Sequence, residues 1–239
     1  MKGAGELALV VPVYNEAENF PRFYRSIVDR VRTPWRLLVV YDREEDTTLP
    51  VAREIAAKDP RVELVLNDSK GVLGALKTGL ARPERGWVVV TMADGSDDHS
   101  QIDRMVELAR GGAEVVVASR YMRGGGQHGA PLVKSTLSRA AGVSLRYLGG
   151  LPTSDPTNNY KLYAVNFIRS VTIESTGGFE VSLELTVKAH LQGRRIAELP
   201  TVWQERTVGA SNFKLGKWLP RYLRWYLLAF GRRLQPGRS

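Results

Sequence analysis

Hydrophobic runs separated by polar, helix-forming stretches set the rhythm of the first half of the chain. Leu7–Val13, Trp35–Tyr41, Val62–Leu66, Trp87–Met92 and Glu114–Ala118 are short, dense in β-branched residues and show no polar alternation. That pattern predicts strands covered on both faces, as in a parallel sheet. Between them, Ala17–Val31 carries Phe20, Phe23, Ile27 and Val31 at helical spacing, and Leu49–Lys58, Gly71–Leu80 and Gln101–Ala109 read as further helices. Strands alternating with helices of about ten residues argue for crossover units on a parallel α/β sheet.

Past Ser119 the rhythm changes. Gly124-Gly125-Gly126 predicts a mobile or tightly turned loop. Leu132–Leu148 reads as a basic amphipathic helix, Phe179–Gln192 as a helix and Arg195–Val202 as one strand. Thr207–Lys214 is a loop, and Trp218–Leu234 mixes aromatics, Leu and Arg in a closing helix. This second half predicts no sheet of its own and is read as an extension of a single domain.

The strand ends carry the candidate chemistry. Asp42 and Asp46 close the second strand, and Asp94, Asp97 and Asp98 close the fourth. In a parallel sheet both groups emerge at the carboxyl edge, where open α/β sheets bind ligands. Hard oxygen donors gathered there suit a divalent cation holding a diphosphate; they equally suit turns in which Asp caps the next helix. Arg120, Lys134, Arg139, Arg206 and Lys214 follow in later elements and, taken together, make a cationic wall for an anionic second substrate.

Composition narrows the partners. With 34 basic and 25 acidic residues, a formal charge of +9, the 239-residue chain favours an anionic partner: phosphorylated metabolite, acidic membrane surface or nucleic acid. No nucleic-acid recognition motif is present, which argues against the last of these. The chain has no cysteine, so disulfides and thiolate metal sites are excluded, in keeping with a cytoplasmic setting. The opening residues do not read as a signal peptide, and no stretch reaches the roughly 18 apolar residues of a spanning helix. The three histidines read as structural or surface residues, and no Ser-His-Asp order, P-loop or dinucleotide glycine fingerprint occurs.

Val11–Glu16, Val39–Asp42, Asp46–Thr48, Asn67–Gly79, Met92–Asp94, Ser119–Tyr121 and Ser154–Lys161 follow one another along nearly the whole chain in an order and spacing that resembles the GT-A glycosyltransferases of family 2, within them the dolichyl-phosphate mannose synthase-like branch. Val11-Pro12-Val13-Tyr14-Asn15-Glu16 is similar to the family's opening nucleotide-binding motif, and Val39–Asp42 with Asp46-Thr47-Thr48 to its VDDGS-D-T segment. Asn67–Gly79 resembles its N-x-G-K-G helix start, and Met92-Ala93-Asp94 stands where an Asp-X-Asp metal motif is expected. Ser119-Arg120-Tyr121 with three glycines, Ser154–Lys161, and Phe179–Glu184 through Lys214 resemble later motifs of the branch. Four positions depart from the pattern. Met92 and Tyr41 replace expected acids, and Asn158-Asn159 replaces a glycine pair. A thioether is a poor ligand for a hard cation.

The resemblance implies an α/β GT-A, Rossmann-like fold over residues 1–215, followed by a basic aromatic amphipathic helix over 216–239 able to rest on a membrane surface. It implies inverting, metal-dependent transfer of a sugar from a nucleotide-diphosphate sugar to a polyprenyl (dolichyl or undecaprenyl) phosphate. Pro12, Val13, Tyr14, Asn15, Glu16, Asp42, Lys70, Asp94, Arg206 and Lys214 are the expected donor-binding residues. Asp94, Ser96 and Asp97 are expected to hold Mg²⁺ or Mn²⁺, and Arg120, Lys134, Ser138 and Arg139 the acceptor phosphate. Asp94 and Arg120 are the residues expected to carry catalysis. The expected location is the cytoplasmic face of a membrane, as a peripheral protein, with a homodimer or membrane-protein partner left open. Two alternatives share this donor site: a hydroxyl acceptor, which needs a base such as Asp155, and a degenerate chain that only binds nucleotide sugar.

Overall fold

The computed structural model describes residues 7–67, 69–129, 132–204 and 215–231. Its elements, in order, are β1 (Leu7–Pro12), α1 (Phe20–Arg30), β2 (Trp35–Tyr41), α2 (Thr48–Lys58), β3 (Val62–Leu66), α3 (Gly71–Ala81) and β4 (Trp87–Val90). A 3-10 turn (His99–Gln101) leads into α4 (Ile102–Arg110) and β5 (Val115–Ser119). Then come β6 (Gly126–His128), α5 (Leu132–Tyr147), β7 (Lys161–Ala164), α6 (Val165–Arg169), α7 (Val181–Leu191), β8 (Ile196–Pro200), β9 (Val202–Gln204) and α8 (Leu215–Leu228).

The main sheet has the order β3-β2-β1-β4-β7-β5-β8. All its pairings are parallel except those of β7, which runs antiparallel between β4 and β5. The Val-rich strands are buried on both faces because two separate apolar clusters cover them. One gathers α1, α2 and α4 with Leu9, Leu37, Val89 and Val116; the other gathers α3, α6 and α7 with Val10, Val40, Val90 and Val117. A third cluster ties Leu145 and Leu151 to Leu183, Val187, Trp225 and Ala229, and so packs α8 on α5 and α7.

Three expectations for the second half are corrected. It does hold a sheet of its own, the two-stranded parallel sheet of β6 and β9, while β7 and β8 join the main sheet. The expected strand Arg195–Val202 is two strands, because the chain leaves β5 after Pro200 and pairs next with β6. Gly126, expected in a loop, opens β6. The fourth strand also ends at Val90, two residues sooner than expected, and Thr91–Asp98 forms the loop at its tip.

Candidate active site

The carboxyl ends of β1, β2 and β4 lie side by side where the connection order reverses about β1, the place at which α/β sheets open a crevice. Beyond β1, Asn15 adopts φ +56°, a conformation that Asn tolerates better than most residues. It is held there by Asp46, a buried side chain whose two oxygens each accept from the Asn15 N–H at 3.1 Å. One of those oxygens also accepts from Thr48 N at 2.8 Å, and Glu16 N donates to Thr48 Oγ1 at 2.9 Å. Asp46 thus welds the β1 and β2 loops together.

Asp42 accepts from Asn67 Nδ2 at 2.6 Å and from the N–H of Gly71 (φ +83°), the first residue of α3, at 2.8 Å. Lys70 stands exposed beside it. Tyr14 is exposed, with the Arg43 guanidinium 4.9 Å from its ring centre and donating to its hydroxyl at 2.7 Å. Pro12 and Val13 are backbone wall: Val13 N donates to Val40 O at 2.9 Å.

At the tip of β4, Asp94 Oδ1 accepts from Ser96 N at 3.1 Å. Asp97 turns back on the strand end, its Oδ2 accepting from Met92 N at 3.0 Å and Thr91 Oγ1 at 2.9 Å. Burial, and then the neighbouring Asp94 charge, push the Asp97 carboxyl up to about 7. Asp98 faces elsewhere: it accepts from Ser100 N and Oγ and from Arg30 across the surface. Ser96 is buried, and its carbonyl accepts from Gln204 N of β9 at 3.4 Å.

Across the inserted strand, Arg120 leaves the end of β5. Its Nε and Nη2 grip the fully buried Asp155 at 2.7 and 2.8 Å, and its own N–H adds a third bond at 2.9 Å. Thr157 joins Asp155 at 3.4 Å and Ser138 of α5 at 2.8 Å, so the helix is moored to the same loop. Gly142 makes this approach feasible, since a Cβ there would overlap the Ser154 carbonyl oxygen. Arg139, one residue beyond Ser138, is exposed. Arg120 is also within electrostatic reach of Asp97, which brings the two ends of the site together. Arg206, Lys214 and the side chain of Lys134 lie outside the described residues.

Two groups that the sequence reading gave no part in the site are buried beside it. Lys161 on β7 is wholly buried, its Nζ donating to Pro156 O at 2.6 Å, Ser182 Oγ at 2.5 Å, Ser182 O at 3.2 Å and Thr186 Oγ1 at 2.9 Å. Burial lowers it well below the usual lysine range, and it fixes the floor of the 154–160 loop. His99, also buried, bonds Thr91 Oγ1 and Ser26 Oγ, and burial lowers it to about 4. A lysine flanked by Tyr160 and Leu162-Tyr163 is the one sequence signal that marked the first of these.

The glycosyl transferase family 2 profile matches residues 8–171, more than half of the chain. The chain belongs to glycosyl transferase family 2. Among the relatives of this family 2 glycosyltransferase, the undecaprenyl-phosphate mannosyltransferase of Micrococcus luteus is 33% identical over 92% of this chain and 93% of that protein. The polyprenol monophosphomannose synthase of Mycolicibacterium smegmatis is 31% identical over 88% and 85%. Among solved structures, the glucosyl-3-phosphoglycerate synthase of Mycobacterium tuberculosis with Mn²⁺, UDP and glucosyl-3-phosphoglycerate superposes with a TM-score of 0.68 over 99% of this chain and 83% of that one, at 17% identity. A mycobacterial protein superposes at 0.71 over 96% and 76%, at 19% identity. These likenesses support the GT-A fold.

The donor set fits the divalent cation that the fold implies. Asp94 and Asp97 repel one another, and Mg²⁺ with a nucleotide is commonly held by one or two carboxylates plus substrate phosphate oxygens. Among the described residues no cluster of three or more acidic, His or Cys ligands occurs, so substrate oxygens would complete the shell.

Proposed function

We propose that this family 2 glycosyltransferase moves a sugar, mannose foremost, from a nucleotide diphosphate to a polyprenyl phosphate with inversion at the anomeric carbon. The names of its relatives support the acceptor class and the sugar. The observation that carries the choice of acceptor is the state of Asp155. A hydroxyl acceptor needs a base, and the acid considered for that role is fully buried and gripped by Arg120. A phosphate monoester needs none, because its second pKa is about 6 and it is already mostly dianionic at neutral pH.

In this reading Pro12–Glu16, Asp42 and Lys70 hold the nucleoside end of the donor. Asp94 and Asp97 would hold Mg²⁺ or Mn²⁺, with Ser96 fixing Asp94 through its N–H; the cation, when bound, offsets charge on the departing diphosphate. Arg206 and Lys214 follow β9 in the chain and are assigned to that diphosphate. Arg120, with Ser138, Arg139 and Lys134 on α5, orients the lipid phosphate. One phosphate oxygen forms the new bond to the anomeric carbon as the bond to the diphosphate breaks on the opposite side. Arg120 grips Asp155 through Nε and Nη2, and in this reading Nη1 is the atom assigned to the acceptor phosphate.

The outward side of α5 and α8 supports a membrane-borne acceptor. Leu137, Tyr147 and Leu148 at one helix and Leu223, Leu227 and Leu228 on the other are exposed, and Ser144 and Tyr226 link the two helices through a 2.9 Å hydroxyl contact. Exposed leucines and aromatics beside arginines suit an interfacial helix. No helix among the described residues is long and apolar enough to cross a membrane.

The test is transfer from radiolabelled GDP- and UDP-sugars to undecaprenyl or dolichyl phosphate, in anionic vesicles and in detergent, beside soluble glycan acceptors. An acid-labile, phosphate-linked sugar lipid is expected, formed faster in vesicles. Transfer to a hydroxyl alone, or none to any lipid phosphate, rejects the proposal.

A further inference from the structure

Met92 leaves the tip of β4 one carboxylate short, and the fold supplies another from further along. Asp97 lies five residues on, yet its Oδ2 is bonded to the N–H of Met92 itself. The intervening turn passes through Gly95 at φ +77°, which returns the chain to the strand end. Both of these Asp97 bonds fall on Oδ2.

The second bond to Oδ2 has a defined direction. Thr91 has one hydroxyl hydrogen, and Asp97 takes it at 2.9 Å. The 3.2 Å contact between Thr91 Oγ1 and His99 Nε2 must then run from the ring N–H to the hydroxyl oxygen. That tautomer leaves Nδ1 as an acceptor for the Ser26 hydroxyl at 2.9 Å. Phe23 meets the imidazole edge-on, ring centres 5.2 Å apart, and Thr91 and His99 are both buried. A chain of four side chains, from Ser26 on α1 to Asp97, therefore has one consistent arrangement of hydrogens. Partners of this kind orient metal-binding carboxylates and histidines in many sites.

We propose that Asp97 stands in for the carboxylate absent at position 92, and that Thr91 and His99 are positioning residues which aim it, with Asp94, at a divalent cation. The inference rests on the metal-assisted reading above and adds two residues that touch neither substrate nor cation.

Mn²⁺ binding to the full chain with GDP or UDP, followed by loss of the free-ion EPR signal, tests it apart from turnover. Asp97→Asn and Thr91→Val are each expected to weaken Mn²⁺ affinity about 10- to 100-fold, and Thr91→Ser to restore it. His99→Gln, whose amide can donate where Nε2 does, should bind more tightly than His99→Phe. Met92→Asp placed in the Asp97→Asn chain should recover binding, which keeps the test open should Thr91→Val fail to fold. Unchanged affinity in Asp97→Asn, or in folded Thr91→Val, overturns the inference, as does a loss that Thr91→Ser does not restore. Asp94→Asn separates the two levels. If it loses Mn²⁺ while Asp97→Asn and Thr91→Val do not, only this inference falls; if it too binds normally, or the unsubstituted chain binds no Mn²⁺, the metal-assisted reading falls with it.

Discussion

At the strand tips of the first half Asp42, Asp46 and Asp97 accept from amides and hydroxyls, whereas Asp155, Glu198 and Glu184 of the second half accept from cations as well as from backbone N–H groups. Asp42, Asp46 and Asp97 take bonds from the Gly71, Asn15 and Met92 N–H groups and from the Asn67 and Thr91 side chains. Asp155 is paired with Arg120, Glu198 with Arg146 and Glu184 with Lys188. Neutral donors orient a carboxylate and leave its charge for a ligand; a guanidinium or ammonium consumes the charge. The contrast separates strand-tip carboxylates oriented by neutral groups from carboxylates already paired with arginine or lysine; under the proposed function the first would serve a cation and diphosphate, and the second would leave Arg120 to serve a lipid phosphate.

Substitutions can break that contrast at either end. The largest effect is expected from Arg120→Ala, which strands Asp155 in the interior and should cost about 3–5 kcal/mol in denaturant unfolding. Replacing Asp155 by an apolar residue in the same chain should return much of that loss. Asp94→Asn should leave unfolding nearly unchanged and reduce transfer by about 10²-fold or more in steady-state assays, the scale on which lost transition-state charge stabilisation is felt. Equal losses of stability in the two variants would erase the distinction.

The smallest effect sharpens the rule inside the first half, away from the crevice. Asp59 does have a cation: Arg61 hydrogen-bonds to it and, against burial, draws its carboxyl down to about 2, with Tyr24 assisting. A carboxylate depressed in the folded state stabilises above its unfolded value near 3.8, and that contribution is lost as pH falls through about 2. Because Arg61 is nearly half exposed, the contribution is about 1 kcal/mol. Acid unfolding of Asp59→Asn should lack that part of the slope between about pH 4 and pH 2.

Much of this was legible in the chain itself. The strands β1 to β5 and their helices follow from Val- and Leu-rich runs and from residues such as Phe20, Phe23 and Ile27, since local pattern and burial agree there. β7 was not legible: Lys161-Leu-Tyr-Ala is four residues long, opens on a lysine, and owes its place to pairing with β4 and β5, over forty residues away in each case. The acids at 42, 46, 94 and 97 stood out because strand ends converge in a parallel sheet. Their partners did not, since a bond from Thr91 or Met92 N to Asp97 depends on how one loop folds back. Asp155 drew attention as an acid, while its bond to Arg120 spans 35 positions and carries no local mark.

The antiparallel strand also acts as a ruler. Neighbouring strands lie about 4.8 Å apart, so inserting β7 sets the tips of β4 and β5 roughly 10 Å from one another. Under the proposed function, the sugar would cross that gap from the donor diphosphate to the acceptor phosphate. Because β7 begins at those tips, with Lys161 in register with both Val90 and Val117, the gauge and the bed of the gap are cut from one continuous stretch of backbone. Under the proposed function, shortening or lengthening the chain just before Lys161 is expected to alter which sugars are transferred before it alters how tightly either substrate is held.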